Sequence, residues 1–277
     1  METVQFIHLT DTHMNAPGRE LFQVGMADKV KRVFQDVRRS GYAPAFAVIT
    51  GDLTHEGNAE DYAYFRQLVD EGSALIDAPV YVMLGNHDHR SPFREGYLGE
   101  TPSEQPYYYT ATVGGLRLIA LNSQVPGDDT GAGAIDQEQL AWLAEQLQTT
   151  APNGTVIALH HPMLAVNDVA PEYLLTNTEE VAAVIKGGCD IVGVFAGHVH
   201  THNTGFYNGI FSVAATGTTY MGKRMGDGFV AGQNYCSYNI VTVTNRRPSV
   251  QTVTLPVPHE ELFRLELAQF GIVQARS

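Results

Sequence analysis

Five times along this 277-residue chain, an apolar and often β-branched run ends at side chains able to bind metal ions. FIHLT leads to Asp11-Thr12-His13, AVITG to Asp52, and YVMLG to Asn86-His87-Asp88. VIALH carries His160, followed by His161, and VGVFAG leads to His198-Val199-His200. Imidazole, carboxylate and carboxamide oxygen form a mixed nitrogen–oxygen donor set that suits zinc, iron, manganese or cobalt; thiolates would favour softer ions. A carboxylate such as Asp52 can offer one oxygen to each of two ions, and a His-x-His pair can divide its rings between them. Two ions roughly 3.5–4 Å apart clamp the attacking and leaving oxygens of an in-line displacement.

Taken singly, Asp-x-His and Gly-Asp are common pairings, and a lone histidine on an apolar strand is more often a packed core residue. The repeated strand-end context carries the signal. In open α/β sheets ligands bind beyond the carboxyl ends of the strands, so clusters far apart in sequence converge on one crevice. The strands expected to do this span 4–9, 46–50, 79–84, 155–159 and 191–195. Helical spacing marks 26–39, 59–71, 137–148 and 181–186, and the alternation gives an α/β fold. Residues 107–121 suggest a hairpin turned at Gly114-Gly115. Residues 209–257 suggest antiparallel strands with a turn near 245–247. The Pro-, Gly- and Glu-containing segment 91–106 is expected to loop over the surface. Residues 1–257 form one catalytic domain in this reading. The remainder, 258–277, is a C-terminal extension whose LFRLELAQF stretch suits a short helix or a partner contact, and a homo-oligomer interface would be sought there. His8 is expected to be packed, Asp88 to orient His87 or a loop, and the Tyr107-Tyr108-Tyr109 run to pack a sheet.

The composition, 44% hydrophobic and 17% charged, is that of a soluble globular protein. A formal net charge of −13 argues against a nucleic-acid partner. It leaves room for a small phosphorylated substrate, because bound cations reverse the local potential. Cys189 and Cys236 are the only cysteines, too few for a disulfide framework. No basic leader with an apolar run opens the chain and no stretch has the length of a membrane span, so the expected location is cytoplasmic, without membrane contact.

With DTH at 11–13, GDLTHEG from Gly51, GNHD from Gly85, HHP from His160 and GHVH from Gly197, the chain resembles the calcineurin-like metallophosphoesterase superfamily. The resemblance runs from residue 4 to about 203, includes the QEQLAWLAEQL helix, and is similar in wording to the class III cyclic-nucleotide phosphodiesterase and glycerophosphodiesterase branch. It implies a four-layer αββα sandwich of two mixed sheets flanked by helices. It further implies two divalent metal ions (Mn, Fe, Zn or Co), the first held by Asp11, His13 and His200 and the second by Asn86, His160 and His198, with Asp52 bridging. His160 is favoured over His161 because the family's histidine stands two residues before a proline, here Pro162. A hydroxide between the metals would attack phosphorus, and His87 would stabilise developing charge or protonate the leaving oxygen. The implied substrate is a small phosphodiester. The rival readings are a phosphomonoesterase on the same core and a scaffold without metals; the filled ligand positions tell against the scaffold. A dianionic monoester would call for Arg or Lys around its free oxygens. The motifs have none, the nearest being Arg90, Arg94, Lys223 and Arg224. The Gly-rich stretch 216–232 is expected to be a loop forming a wall for a second ester group.

Overall fold

The structure, a computed structural model, describes residues 3–19, 21–22, 24–125, 127, 131–166, 173–225 and 228–266. Helix α1 (Met26–Arg39) buries Met26, Val30, Val33, Phe34 and Val37, a stripe at three- and four-residue spacing. Helix α2 (Ala59–Ile76) begins at Asn58, whose side chain accepts the Asp61 N–H at 3.0 Å, and stops at Asp77 in a left-handed conformation. Asp136 caps α4 (Gln137–Gln146) in the same way, accepting the Gln139 N–H at 2.8 Å. The short α3 (Arg90–Phe93) lies between α2 and α4, and α5 (Thr178–Ile185) follows them.

The first sheet contains β1 (Thr3–Leu9), β2 (Phe46–Thr50), β3 (Val80–Met83), β12 (Ser237–Thr244) and β13 (Arg247–Thr254), in the order β13-β12-β1-β2-β3. Within it β1, β2 and β3 are parallel, whereas β12 runs antiparallel to β1 and β13. The second sheet has the order β4-β5-β6-β7-β9-β8, from β4 (Tyr109–Val113), β5 (Leu116–Ala120), β6 (Gly154–Ala158), β7 (Ile191–Ala196), β8 (Asn203–Tyr207) and β9 (Ile210–Ala214). Its β5, β6, β7 and β9 are parallel, and β4 and β8 are antiparallel edges.

Three apolar cores define the layers. Phe6, Phe46, Val48 and Met83 of the first sheet meet Leu118, Val156, Phe195 and Val213 of the second. Val30, Phe34, Phe65 and Leu68 of α1 and α2 cover the other face of the first sheet, at Ile7, Leu9 and Ile49. Leu140, Leu143, Val181 and Ile185 of α4 and α5 cover the second sheet at Ile119, Ile157 and Val194. Helix, sheet, sheet, helix is the expected four-layer sandwich. Central strands buried on both faces explain why FAVIT and GTVIA are almost wholly apolar.

Several local expectations are corrected. Residues 91–106 are not wholly a surface loop: α3 and a π-helical turn over Arg94–Leu98 bury Phe93 and Tyr97 against Tyr62 and Phe65. In 209–257, β9 joins β7 in parallel rather than antiparallel fashion. The stretch 216–232 is no open loop but includes the hairpin of β10 (Tyr220–Arg224) and β11 (Phe229–Asn234). Its partner is β14 (Glu261–Glu266), so LFRLE of the C-terminal stretch is a strand rather than a helix, and Leu267–Phe270 of that stretch lie outside the described residues. Together they form a third, three-stranded antiparallel sheet, β10-β11-β14.

Candidate metal centre

All eight singled-out residues meet at one end of the sandwich, on the turns that leave β1, β2, β3, β6 and β7. Backbone conformation turns the side chains inward. Asp11, His13, Asp52, His198 and His200 adopt φ of 51°, 42°, 49°, 73° and 50°. Among the described residues, half of the ten non-glycine residues with positive φ are thus in this one place, where each conformation costs roughly 1–2 kcal/mol. Stored strain of this kind is concentrated at functional sites. The motif glycines leave room for the carboxylates: a Cβ on Gly85 would collide with Asp52 Oδ1, and one on Gly197 with Thr10 Oγ1 and Asp11 Oδ2.

Two donor clusters share one carboxylate. In the first, His13 Nε2 lies 3.2 Å from His200 Nε2 and 3.6 Å from Asp52 Oδ2, and His200 Nε2 lies 3.2 Å from Asp11 Oδ1. In the second, Asn86 Oδ1 lies 3.0 Å from His160 Nε2 and 2.8 Å from His198 Nδ1, and His160 Nε2 lies 3.4 Å from Asp52 Oδ1. Each ring is held by its other nitrogen or by its neighbours. His160 Nδ1–H donates to the Thr50 carbonyl at 2.8 Å and His200 Nδ1–H to the Tyr220 carbonyl at 3.2 Å, which leaves both Nε2 atoms facing the site. His161 lies beside the second cluster, its ring 4.5 Å from that of His198, but both its nitrogens have partners: its Nε2–H donates to the Gly131 carbonyl at 3.1 Å and its Nδ1 accepts from Ser123 Oγ at 2.8 Å.

Four of the donor side chains are held in the form that binds a cation. Burial resists ionisation of Asp11 and Asp52, yet the imidazoles beside them hold both carboxyls well below their ordinary range. Burial depresses His13 strongly and His198 to about 4, keeping those rings neutral. His160 and His200 are the exceptions: burial lowers each, but the neighbouring carboxylates and the carbonyls that accept their Nδ1–H together outweigh it, raising His200 and carrying His160 up to about 9. Carboxylate and neutral imidazole are the forms that coordinate cations.

His87 stands just outside both clusters. Its backbone N–H donates to Asp52 Oδ1 at 2.9 Å and its Nδ1–H to the His55 carbonyl at 3.2 Å, with its ring 4.9 Å from that of His13. Asp88 is a buried loop anchor, accepting the N–H groups of Leu53, Thr54 and Gly85. His8 is packed as expected, with Nε2 2.9 Å from Thr50 Oγ1. His202 pairs with Thr204. Two neighbours were given no role by the motifs. His55 sets its Nδ1 3.4 Å from His13 Nδ1, and Tyr220 brings its hydroxyl within 3.2 Å of His13 Nε2. Only the T-H of GDLTH hinted at the first, and nothing in the sequence near Tyr220 marked the second.

Residues 4–202 match the family model described as calcineurin-like phosphoesterase. Over 215 residues the chain is 37% identical to a probable cyclic nucleotide phosphodiesterase of Rhodococcus erythropolis, covering 77% of this chain and 70% of the relative. It is 36% identical over 216 residues to a cAMP/cGMP dual specificity phosphodiesterase of Mycobacterium tuberculosis, covering 77% and 67%. In fold it is similar to a dimetal phosphatase from Danio rerio, with a TM-score of 0.53 at 14% identity over 91% of this chain and 99% of that one. With the sandwich and the strand-end donor clusters in place, the chain belongs to the calcineurin-like phosphoesterase family of hydrolases.

Proposed function

We propose that this protein is a binuclear metal-dependent phosphodiesterase acting on a small phosphodiester, a 3′,5′-cyclic nucleotide or a glycerophosphodiester, in the cytoplasm. The observation that carries the reading is Asp52, which turns one oxygen toward each of two donor clusters. Asp11, His13, His200 and Asp52 would hold the first cation, and Asn86, His160, His198 and Asp52 the second. The names of the two most similar relatives described above support the cyclic-nucleotide option.

Two bound divalent cations would activate water near neutral pH and neutralise charge on the phosphoryl oxygens. The protein's own groups supply orientation. Thr50 and Tyr220 carbonyls fix the rings of His160 and His200, and Thr10 Oγ1 steadies Asp11 Oδ2 at 2.7 Å. His87, anchored through its backbone and Nδ1, keeps Nε2 for the substrate, where it would stabilise charge or protonate the leaving oxygen.

The diester preference rests on charge. A diester brings about one negative charge and a monoester nearly two, since its second pKa is about 6. Arg90 is committed to Gln124 and the Glu104 carbonyl, and Arg94 to Glu100 and the Gln105 carbonyl. Neither arginine is directed to the donor clusters. The metal-loaded protein should show higher kcat/KM for a generic diester, cyclic AMP or glycerophosphoethanolamine than for the monoester of the same leaving group. More efficient turnover of the monoester would move the assignment to a phosphomonoesterase.

A further inference from the structure

The family match ends at residue 202, yet the first donor cluster is closed by a segment that follows it. Among the hydrogen bonds that residues 217–222 make to the residues around the first position, five bear on its shape. Thr218 N–H donates to the Thr10 carbonyl at 2.8 Å, and Thr219 Oγ1 donates to the Asp11 carbonyl at 3.0 Å. The Tyr220 carbonyl accepts from His200 Nδ1 at 3.2 Å, while Gly222 N–H donates to the His200 carbonyl at 3.0 Å. The fifth joins the Tyr220 hydroxyl to His13 Nε2. The Tyr220 ring lies nearly parallel to that of His200, with centroids 4.0 Å apart and planes 16° apart. Gly217 is there because a Cβ would strike the His200 ring.

What holds Tyr220 in turn is the C-terminal strand. Phe263 of β14 meets the Tyr220 ring edge-on at 5.5 Å and Phe22 at 4.7 Å, and Phe22 meets Tyr220 at 5.9 Å. The small sheet is built to let Phe263 reach across. Gly222 on β10 pairs with Gly232 on β11, which pairs with Phe263 on β14. A Cβ on Gly232 would occupy the space of the Phe263 ring.

We propose that the aromatic column Phe263–Tyr220 is a positioning device for the first metal position, through which the C-terminal strand sets the orientation of His200 and His13. Phe263 acts on the cluster through Tyr220, directly and by way of Phe22, and Tyr220 acts through the two rings. This inference rests on the two-metal reading given above. Supporting partners of metal-binding histidines typically change affinity roughly 10–100-fold when they are lost. The expected effect is therefore confined to one of the two ions.

The test is manganese(II) uptake by the full-length protein, followed by calorimetry and elemental analysis. Wild type should take up two ions. Tyr220→Leu should weaken one of them roughly 10–100-fold, and Phe263→Ala should weaken the same ion in the same direction, with the other ion within about threefold. Tyr220→Phe keeps the ring stack and should restore near wild-type affinity. In an Asn86→Ala background, which retains the first position, the Phe263→Ala loss should persist. Unchanged uptake in folded Phe263→Ala and Tyr220→Leu proteins, or equal weakening of both ions alongside a lowered Tm, would overturn the inference. A wild-type chain that takes up one ion or none would instead overturn the two-metal reading, and this inference with it.

Discussion

The hydroxyl of Tyr62, on α2, donates to Oδ1 of Asp88 at 2.9 Å, and through that bond a helix of the outer layer holds the turn that carries Asn86 and His87. The same carboxylate accepts Gly85 N–H at 2.8 Å and the N–H groups of Leu53 and Thr54, tying the turn after β3 to the turn after β2. Tyr62→Phe removes both this donor and the acceptor of the His89 N–H at 2.8 Å, and should cost roughly 1–3 kcal/mol. Asp88→Ala strands several buried N–H groups at once, each worth roughly 1–3 kcal/mol. It should cost clearly more than Tyr62→Phe in denaturant unfolding and should also weaken metal uptake. Equal costs for the two variants would show that the carboxylate is not what joins the turns.

Much of this centre is legible in the sequence because a strand end is a local signal. An apolar run followed by Asp, Asn or His survives without knowledge of the partners, and the sheet brings such ends together. What is not legible arrives from other elements. Tyr220 reaches His13 across 207 residues and Phe263 reaches Tyr220 from a third sheet; neither position carries a pattern of its own. The antiparallel pair of β10 and β11 is in keeping with strands over 209–257, but within that range the Gly-rich 216–232 suggests a loop because its glycines, which make room for Phe263, lower strand propensity. The helical start of 91–106 was hidden by Pro92 and Gly96, although Pro suits a first turn and Gly96 packs directly on the Ala59 carbonyl.

The proposed bridging role of Asp52 predicts an asymmetry between variants. Asp52→Ala removes an oxygen from each cluster and should disrupt uptake of both ions and abolish turnover. Asn86 Oδ1 faces His160 and His198, so Asn86→Ala should weaken mainly one ion. Metal analysis after dialysis distinguishes them. An Asp52→Ala protein that retains two tightly bound ions and near-normal turnover would remove the bridge.

Lys29 offers a pH test that does not involve the ligands. Its ammonium is buried and donates to the Thr219 carbonyl, and burial lowers its pKa from 10.5 to about 8. Cys236 and Glu260 favour its charge and Arg32 opposes it. Between about pH 8 and 10.5 the unfolded chain therefore binds more protons at this residue than the folded one, so its contribution to stability rises with pH across that window. Below pH 8 the cost of burying the charge is fully present. Denaturant unfolding of wild type and Lys29→Met should show the difference between them shifting in favour of wild type as pH rises from 8 to 10.5. A difference that stays flat would mean Lys29 titrates as it does in water.

His87 is the residue on which the proposed chemistry, rather than the binding, turns. It lies beside Asp52 and Asn86 with its backbone N–H on Asp52 and its Nδ1–H on the His55 carbonyl, and its ring groups with those of His13 and His55 rather than with Asp11 and His200 or with Asn86, His160 and His198. His87→Ala should keep both ions and lose roughly 10²–10⁴-fold in kcat, the scale of a positioned acid–base group. If the ring protonates the leaving oxygen, the loss depends on how much that oxygen needs a proton. An aryl ester with an acidic leaving group departs as the anion and should be affected least. An alkoxide such as the ribose 3′-oxygen or a glycerol oxygen should be affected most. His55→Ala should move in the same direction more weakly, since its carbonyl persists while its ring, stacked on His87 at 5.1 Å, is lost. The measurement is kcat for a series of aryl and alkyl diesters, plotted against leaving-group pKa for wild type and both variants. A steeper slope in His87→Ala supports proton donation. A parallel displacement of the whole line would instead assign the ring to electrostatic stabilisation of the phosphoryl oxygens.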